Sequence, residues 1–149
     1  MHEDLQFVPL KSPLSPKALS AFRKDADWPD TPQPKAIDPR GKIVWVSVES
    51  NKKPIAIARL ELAPPEFCYV ADVIVSSKFR GRGVGHWFMQ RIEQYCHGLG
   101  IRRLLLEAAN GTESFYKSLA FMQDPFVPSM LKKDVNPLQR KMFLPPQGR

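Results

Sequence analysis

The stretch from Tyr69 to Leu99 constrains the fold of this chain more than any other. Residues 69–75, YVADVIV, are apolar except for Asp72 and read as a strand covered on both faces. Val84, Trp87, Phe88, Ile92, Tyr95, Cys96 and Leu99 recur at helical spacing and give residues 84–99 one wide apolar face. The joint between strand and helix is SSKFRGRGVGH, residues 76–86. Glycines there let backbone N–H groups approach a ligand closely. The helix N-terminus adds donors without intrahelical partners and a partial positive charge. Arg80 and Arg82 add full charges. The combination suits a pyrophosphate; a plain glycine-rich turn is the alternative.

Shorter elements surround this unit. Phe7–Leu10 reads as a first strand, and Ser15-Pro16 as an N-cap followed by proline at the first position of a helix over 16–27. Seven of the fifteen prolines fall in residues 1–40, so 28–40 reads as a loop. Ile43–Glu49 and Ile55–Ala63 form a hairpin across a polar turn, with Arg59 and Glu61 on the side of Ile55 and Ile57. Arg103–Ala108 is the next strand, Thr112 can cap a short helix through Leu119, and 139–144 reads as a last strand. The order is α+β, and 149 residues suit one domain over 1–149.

Composition removes several function classes. No run of about 18 apolar residues occurs, which argues against a membrane span. The first residues lack the basic and apolar regions of a signal peptide, so a cytoplasmic protein is expected. Cys68 and Cys96 form no CxxC and read as free thiols. His2, His86 and His97 have no ligand spacing, and no metal is expected. The net charge is +7, and residues 80–103 hold five arginines against one acidic residue, which points to a polyanionic partner. Phosphate or nucleotide fits better than nucleic acid, because Trp87, Phe88 and Tyr95 lie on the core face of their helix and do not interleave with the basic residues.

Three phosphate-loop patterns compete. A Walker A loop needs GxxxxGK[ST], and no Lys-Ser or Lys-Thr pair occurs in the joint. A dinucleotide fingerprint needs GxGxxG, whereas glycines stand at 81, 83 and 85 and no further βαβ units follow. The pattern [R/Q]-x-x-G-x-[G/A] is met by Arg80, Gly83 and Gly85, with Val75 five residues upstream. This resembles the acyl-CoA loop of the GNAT superfamily of N-acetyltransferases. FYKSLAF, residues 115–121, resembles the family's FY-x-K-L-G-F signature, and Asn110 precedes it. The resemblance covers about residues 69–123. Ala120 stands where glycine is usual, and Asn110 lies six residues before Tyr116 where seven is commoner.

The resemblance implies an α/β/α arrangement, a mixed, mainly antiparallel sheet of six or seven strands flanked by helices. It also implies that the strand before the loop splays from the next one. Backbone groups of Val73, Ile74 and Val75 would then hold the pantetheine arm and thioester of acetyl-CoA, the co-substrate. Loop amides from Arg80, Gly81, Arg82, Gly83, Val84, Gly85 and His86 would hold its pyrophosphate, with Asn110 also at the cofactor. Tyr116 is the candidate general acid. Asp72 is the candidate base, since burial raises a carboxyl's pKa; by strand alternation it points with Val70 and Ile74, and a structural role is as good a reading. Glu61 and Glu107 are weaker candidates. The expected reaction is N-acetyl transfer to a primary amine of a small molecule by direct attack in a ternary complex. A protein-lysine or N-terminal acetyltransferase and a non-catalytic acyl-CoA-binding domain are the alternatives. Acceptor choice falls to residues 28–40, 64–68 and 124–138, and a homodimer stays open.

Overall fold

A computed structural model describes residues 4–29, 42–109 and 111–135. The expected last strand at 139–144, Asn110, His2 and most of the proline-rich loop lie outside the described residues.

Among the described residues, seven strands form one sheet: β1 (Leu5–Pro9), β2 (Lys42–Ser50), β3 (Lys53–Ala63), β4 (Phe67–Val75), β5 (Arg103–Leu106), β6 (Met122–Gln123) and β7 (Leu131–Asp134). Their spatial order is β1-β2-β3-β4-β5-β7-β6, antiparallel throughout except for β4 and β5. The helices are α1 (Pro16–Asp25), α2 (Val84–Gly98) and α3 (Glu113–Ser118). Ser15 caps α1 as its sequence predicts, its hydroxyl accepting from the Ala18 N–H at 3.1 Å. α2 buries Phe88, Ile92 and Cys96 with Val46, Val48 and Leu60 of the sheet. α1 lies on the opposite face, where Leu19 packs with Trp45, Ile57 and Ile74. This is the expected mixed sheet with helices on both faces.

Two irregularities set β4 apart from the other strands. Among the described residues, its parallel pairing with β5 runs through Cys68–Leu104 and Tyr69–Leu105 and continues no further. Along its other edge, Ile74 pairs with Ile57 but Ala71 pairs with Arg59, so Asp72 and Val73 stand opposite the single residue Ala58. This is a bulge, and Asp72 adopts φ 54° within it. The extra residue puts Val70 into the core under α2 and Ile74 into the core under α1. The alternation that aligned Asp72, Val70 and Ile74 on one face therefore fails at Asp72.

Candidate active site

Two clefts open beside β4. The first, about 540 Å³, lies over the glycine loop. Val73, Ile74 and Val75 line it from the strand, and Arg80, Gly81, Gly83, Val84, Gly85 and His86 from the loop and the start of α2. Gly83 is the N-cap of α2 at φ 80°, a backbone conformation that glycine adopts without steric cost. The helical ladder begins with the Trp87 N–H bonding the Gly83 carbonyl at 3.0 Å. The N–H groups of the preceding helical residues have no intrahelical acceptor and can serve an anion. A Cβ on Gly85 would stand 3.3 Å from Phe115 Cζ, so only a bare backbone leaves this wall in place.

The loop cations are less free than the sequence implies. Arg80 Nε donates to the Val75 carbonyl at 3.0 Å, and its Nη2 pairs with Asp25 at 3.4 Å. The Ser77 hydroxyl and backbone N–H also donate to Asp25, at 2.7 and 2.8 Å, and hold that carboxyl below the usual carboxylate range. Arg80 thus ties the end of β4 to the end of α1. Arg82 is outside the cleft lining, its guanidinium 5.7 Å from the centre of the Phe79 ring. His86 Nε2 lies 3.3 Å from Gln90 Nε2.

The second cleft, about 720 Å³, occupies the gap where β4 and β5 stop pairing. Val73, Thr112, Tyr116, Ala26 and Trp28 line both clefts, so the two meet there. Tyr116 sits on α3, and burial pushes its phenol up to about 12. Phe115 and Phe121 hold its ring edge-on, at 5.0 and 5.7 Å between centroids. Thr112 precedes α3 but does not cap it by its side chain, as the sequence suggested; its hydroxyl donates to the Ala109 carbonyl at 2.6 Å.

Asp72, Glu61 and Glu107 all reach the second cleft, in different states. Asp72 accepts from Arg23 Nη2 at 2.6 Å and from Arg59 Nε at 2.9 Å, and Arg59 Nη1 pairs with Glu61. Both carboxylate oxygens of Asp72 are thus taken up by guanidiniums, and this geometry favours its structural reading. Glu107 is exposed and takes hydrogen bonds from two neutral hydroxyls, Tyr69 at 3.2 Å and Ser129 at 3.1 Å. Burial, with the Glu107 charge beside it, pushes Tyr69 up to about 12. Sequence reasoning missed Arg23, covered Trp28 only within the 28–40 acceptor segment, and gave Arg59 no role. The one signal was Asp72 itself, since a carboxylate inside an apolar strand needs a cationic or hydrogen-bonding partner. Cys68 and Cys96 are free and fully buried in the core; the neighbouring Cys96 and burial push the Cys68 thiol up, and no substrate reaches either side chain from the two clefts.

Among curated proteins, the chain is 29% identical over 83 residues to GCN5-related N-acetyltransferase 1, chloroplastic, of Arabidopsis thaliana. It is 29% identical over 87 residues to serotonin N-acetyltransferase 2, chloroplastic, of Oryza sativa subsp. japonica. Each match takes in 56% of this chain but only 42% and 44% of those proteins. Among solved structures, N-acetylglutamate synthase of Neisseria gonorrhoeae, determined with coenzyme A and L-arginine, superposes with a TM-score of 0.68 at 14% identity, over 89% of this chain and 33% of that one. The pattern of the Acetyltransferase (GNAT) family matches residues 10–121. That span takes in α1, the bulged strand, the glycine loop and the tyrosine where the clefts meet, and the chain belongs to the GNAT family of acetyltransferases.

Proposed function

We propose that the protein transfers an acetyl group from acetyl-CoA to a primary amine of a small molecule, by direct attack in a ternary complex. The observation that carries this reading is the meeting of two clefts at Val73, Thr112 and Tyr116. One is walled by backbone and a helix N-terminus, suited to a pyrophosphate and a pantetheine arm. The other is walled by side chains and suited to an acceptor. A thioester carbonyl at the junction lies beside the β4 backbone beyond the bulge, which can donate to its oxygen as charge develops. The amine nitrogen attacks that carbon; the C–N bond forms as the C–S bond breaks. Glu107 takes the proton the amine sheds, and the Tyr116 hydroxyl donates a hydrogen bond to the departing thiolate. With its pKa near 12, Tyr116 stays protonated at neutral pH and stabilises the sulfur chiefly as a donor.

A small acceptor is favoured by the form of the second cleft, a recess bounded by the end of α1, the β4 bulge and the segment after β5. One similar plant protein is named for a small amine, serotonin. Calorimetric titration with acetyl-CoA and with CoA, followed by thiol release across a panel of small primary amines, tests the proposal. Binding of both and thiol release that depends on the amine are expected. Binding without turnover on any amine would leave a non-catalytic acyl-CoA-binding domain, and no binding would reduce the glycine loop to a structural turn.

A further inference from the structure

Four ionised side chains are buried where α1, β3 and β4 meet, and the reaction as proposed gives none of them a chemical step. Asp72 stands at the centre. Its Oδ1 goes to Arg23 of α1 and its Oδ2 to Arg59 of β3, and Arg59 continues to Glu61. The side chains of Arg23, Arg59, Glu61 and Asp72 are each less than a tenth exposed. Arg23 also donates through Nη1 to the Pro29 carbonyl at 3.3 Å and lies 5.7 Å from the Trp28 ring, and it lines neither cleft. Its Nε is buried with no partner among the described residues. Buried ion pairs are a costly way to gain stability, since apolar side chains of similar volume commonly do as well. A guanidinium fork does supply direction, because its geometry fixes where the carboxylate sits. Here the carboxylate belongs to the bulge residue itself, held at φ 54°. The next residue, Val73, lines both clefts, and so does Trp28 at the far end of the network.

We infer that Asp72 is a positioning residue: clamped by Arg23 and Arg59, it holds the left-handed bulge that presents the Val73 backbone to the acetyl carbonyl, and ties that backbone to the α1 wall of the site. The inference rests on the reading that the β4 backbone beyond the bulge receives the thioester.

The direct probe is acetyl-CoA labelled with ¹³C at the carbonyl, bound to the full chain. A hydrogen bond to the carbonyl oxygen moves its resonance downfield. The wild-type protein shows that shift. Asp72→Asn keeps the shape but weakens the clamp, and Arg23→Met cuts its arm from α1 at a residue that itself lines neither cleft. Both lose most of the shift while acetyl-CoA affinity stays within about twofold, and both lower kcat by about tenfold or more, the scale on which misplaced groups act. Arg23→Lys keeps the charge and recovers part of each. Because the two substitutions sit on different elements, Arg23→Met decides the matter where Asp72→Asn fails to fold. Wild-type resonance and kcat in these variants, with only a lowered unfolding temperature, would make the network merely structural and overturn the inference. So would loss of the acidic limb of the pH–rate profile in Asp72→Asn, which would make Asp72 the base. A wild-type carbonyl that does not move on binding would remove the thioester reading and this inference with it, whereas a wild-type shift left intact in the variants removes the inference alone.

Discussion

At the glycine-loop cleft and at the junction with the second cleft, the backbone enters the left-handed region by different means. Beside the loop, the N-cap of α2 is Gly83 at φ 80°, and Gly100, just past the C-cap of the same helix, stands at φ 77°. Around the junction the left-handed residues include Asp27 at φ 59°, Asp72 at φ 54° and Gly111 at φ 83°, with Ala120 at φ 73° just after the helix that carries Tyr116. The glycines reach this region without penalty. Asp72 and Ala120 cost roughly 1–2 kcal/mol each, which the surroundings must overcome: a pair of guanidiniums at Asp72, and two backbone hydrogen bonds with an aromatic contact at Ala120. A backbone-built cleft announces itself in sequence through its glycines. A cleft assembled from side chains of distant segments does not.

The comparison is tested most sharply at Tyr116, which both clefts share. Tyr116→Phe is expected to lower kcat roughly 100-fold, the scale of a lost proton-transfer or donor group, with acetyl-CoA affinity unchanged in calorimetry. Unchanged turnover would remove Tyr116 from the reaction and leave the junction without chemistry. The same substitution has a pH signature. Burial raises this phenol from 10 to about 12 in the folded state. Below pH 10 both states hold the proton and the group adds no pH dependence. Between 10 and 12 the unfolded state releases it first, so the wild-type protein loses stability there, by roughly 2–3 kcal/mol at most. Urea unfolding at alkaline pH should show a shallower loss in Tyr116→Phe.

Glu107→Gln bears on the second cleft alone. Its expected cost is smaller, roughly tenfold in kcat, because an amine that arrives neutral has little need of a base. The acidic limb of the pH–rate profile should flatten while acetyl-CoA affinity holds; an unaltered limb would take Glu107 out of the proton path. Gly85→Val bears first on the glycine-loop cleft. Its Cβ must displace Phe115, and overpacking of this kind costs about 1–3 kcal/mol. Acetyl-CoA affinity should fall about tenfold, equivalent to about 1.4 kcal/mol, and wild-type affinity would dissociate the loop from CoA binding.

The same contrast explains how much could be read in advance. The β2–β3 hairpin, the apolar strand, the loop and α2 were legible because period and glycine placement are local properties. β7 was not: LKKD is mostly charged, and it becomes a strand by pairing with β5. The bulge was not, because neither glycine nor proline marks it; Asp72 was legible as an anomaly, but its partners lie 49 and 13 residues away. For the same reason Asp72 read as a candidate base, when its charge is spent on Arg23 and Arg59. The glycine loop led toward arginine-assisted phosphate binding, yet Arg80 turns to Asp25, a partner 55 residues earlier.

The smallest expected effect isolates the left-handed cost itself. α2 and α3 end in the same pair of hydrogen bonds. After α2, Gly100 N–H bonds the His97 carbonyl and Ile101 N–H the Cys96 carbonyl, both at 3.0 Å; after α3, Ala120 N–H bonds the Lys117 carbonyl and Phe121 N–H the Tyr116 carbonyl, both at 3.1 Å. In each, the residue after the left-handed one is buried against the core, as this cap motif requires. The caps differ in the side chain at the left-handed position. Ala120→Gly should therefore stabilise the protein by about 1 kcal/mol, the steric relief less glycine's extra freedom when unfolded, and raise the melting temperature by about 2–4 °C. Gly100→Ala should lose a similar amount. Since the bonds and the Tyr116–Phe121 contact survive the substitution, kcat should not move. A gain in stability with a loss in kcat would mean that the methyl at 120 helps to hold Tyr116 at the junction, and would count Ala120 with Asp72 as strain kept for function.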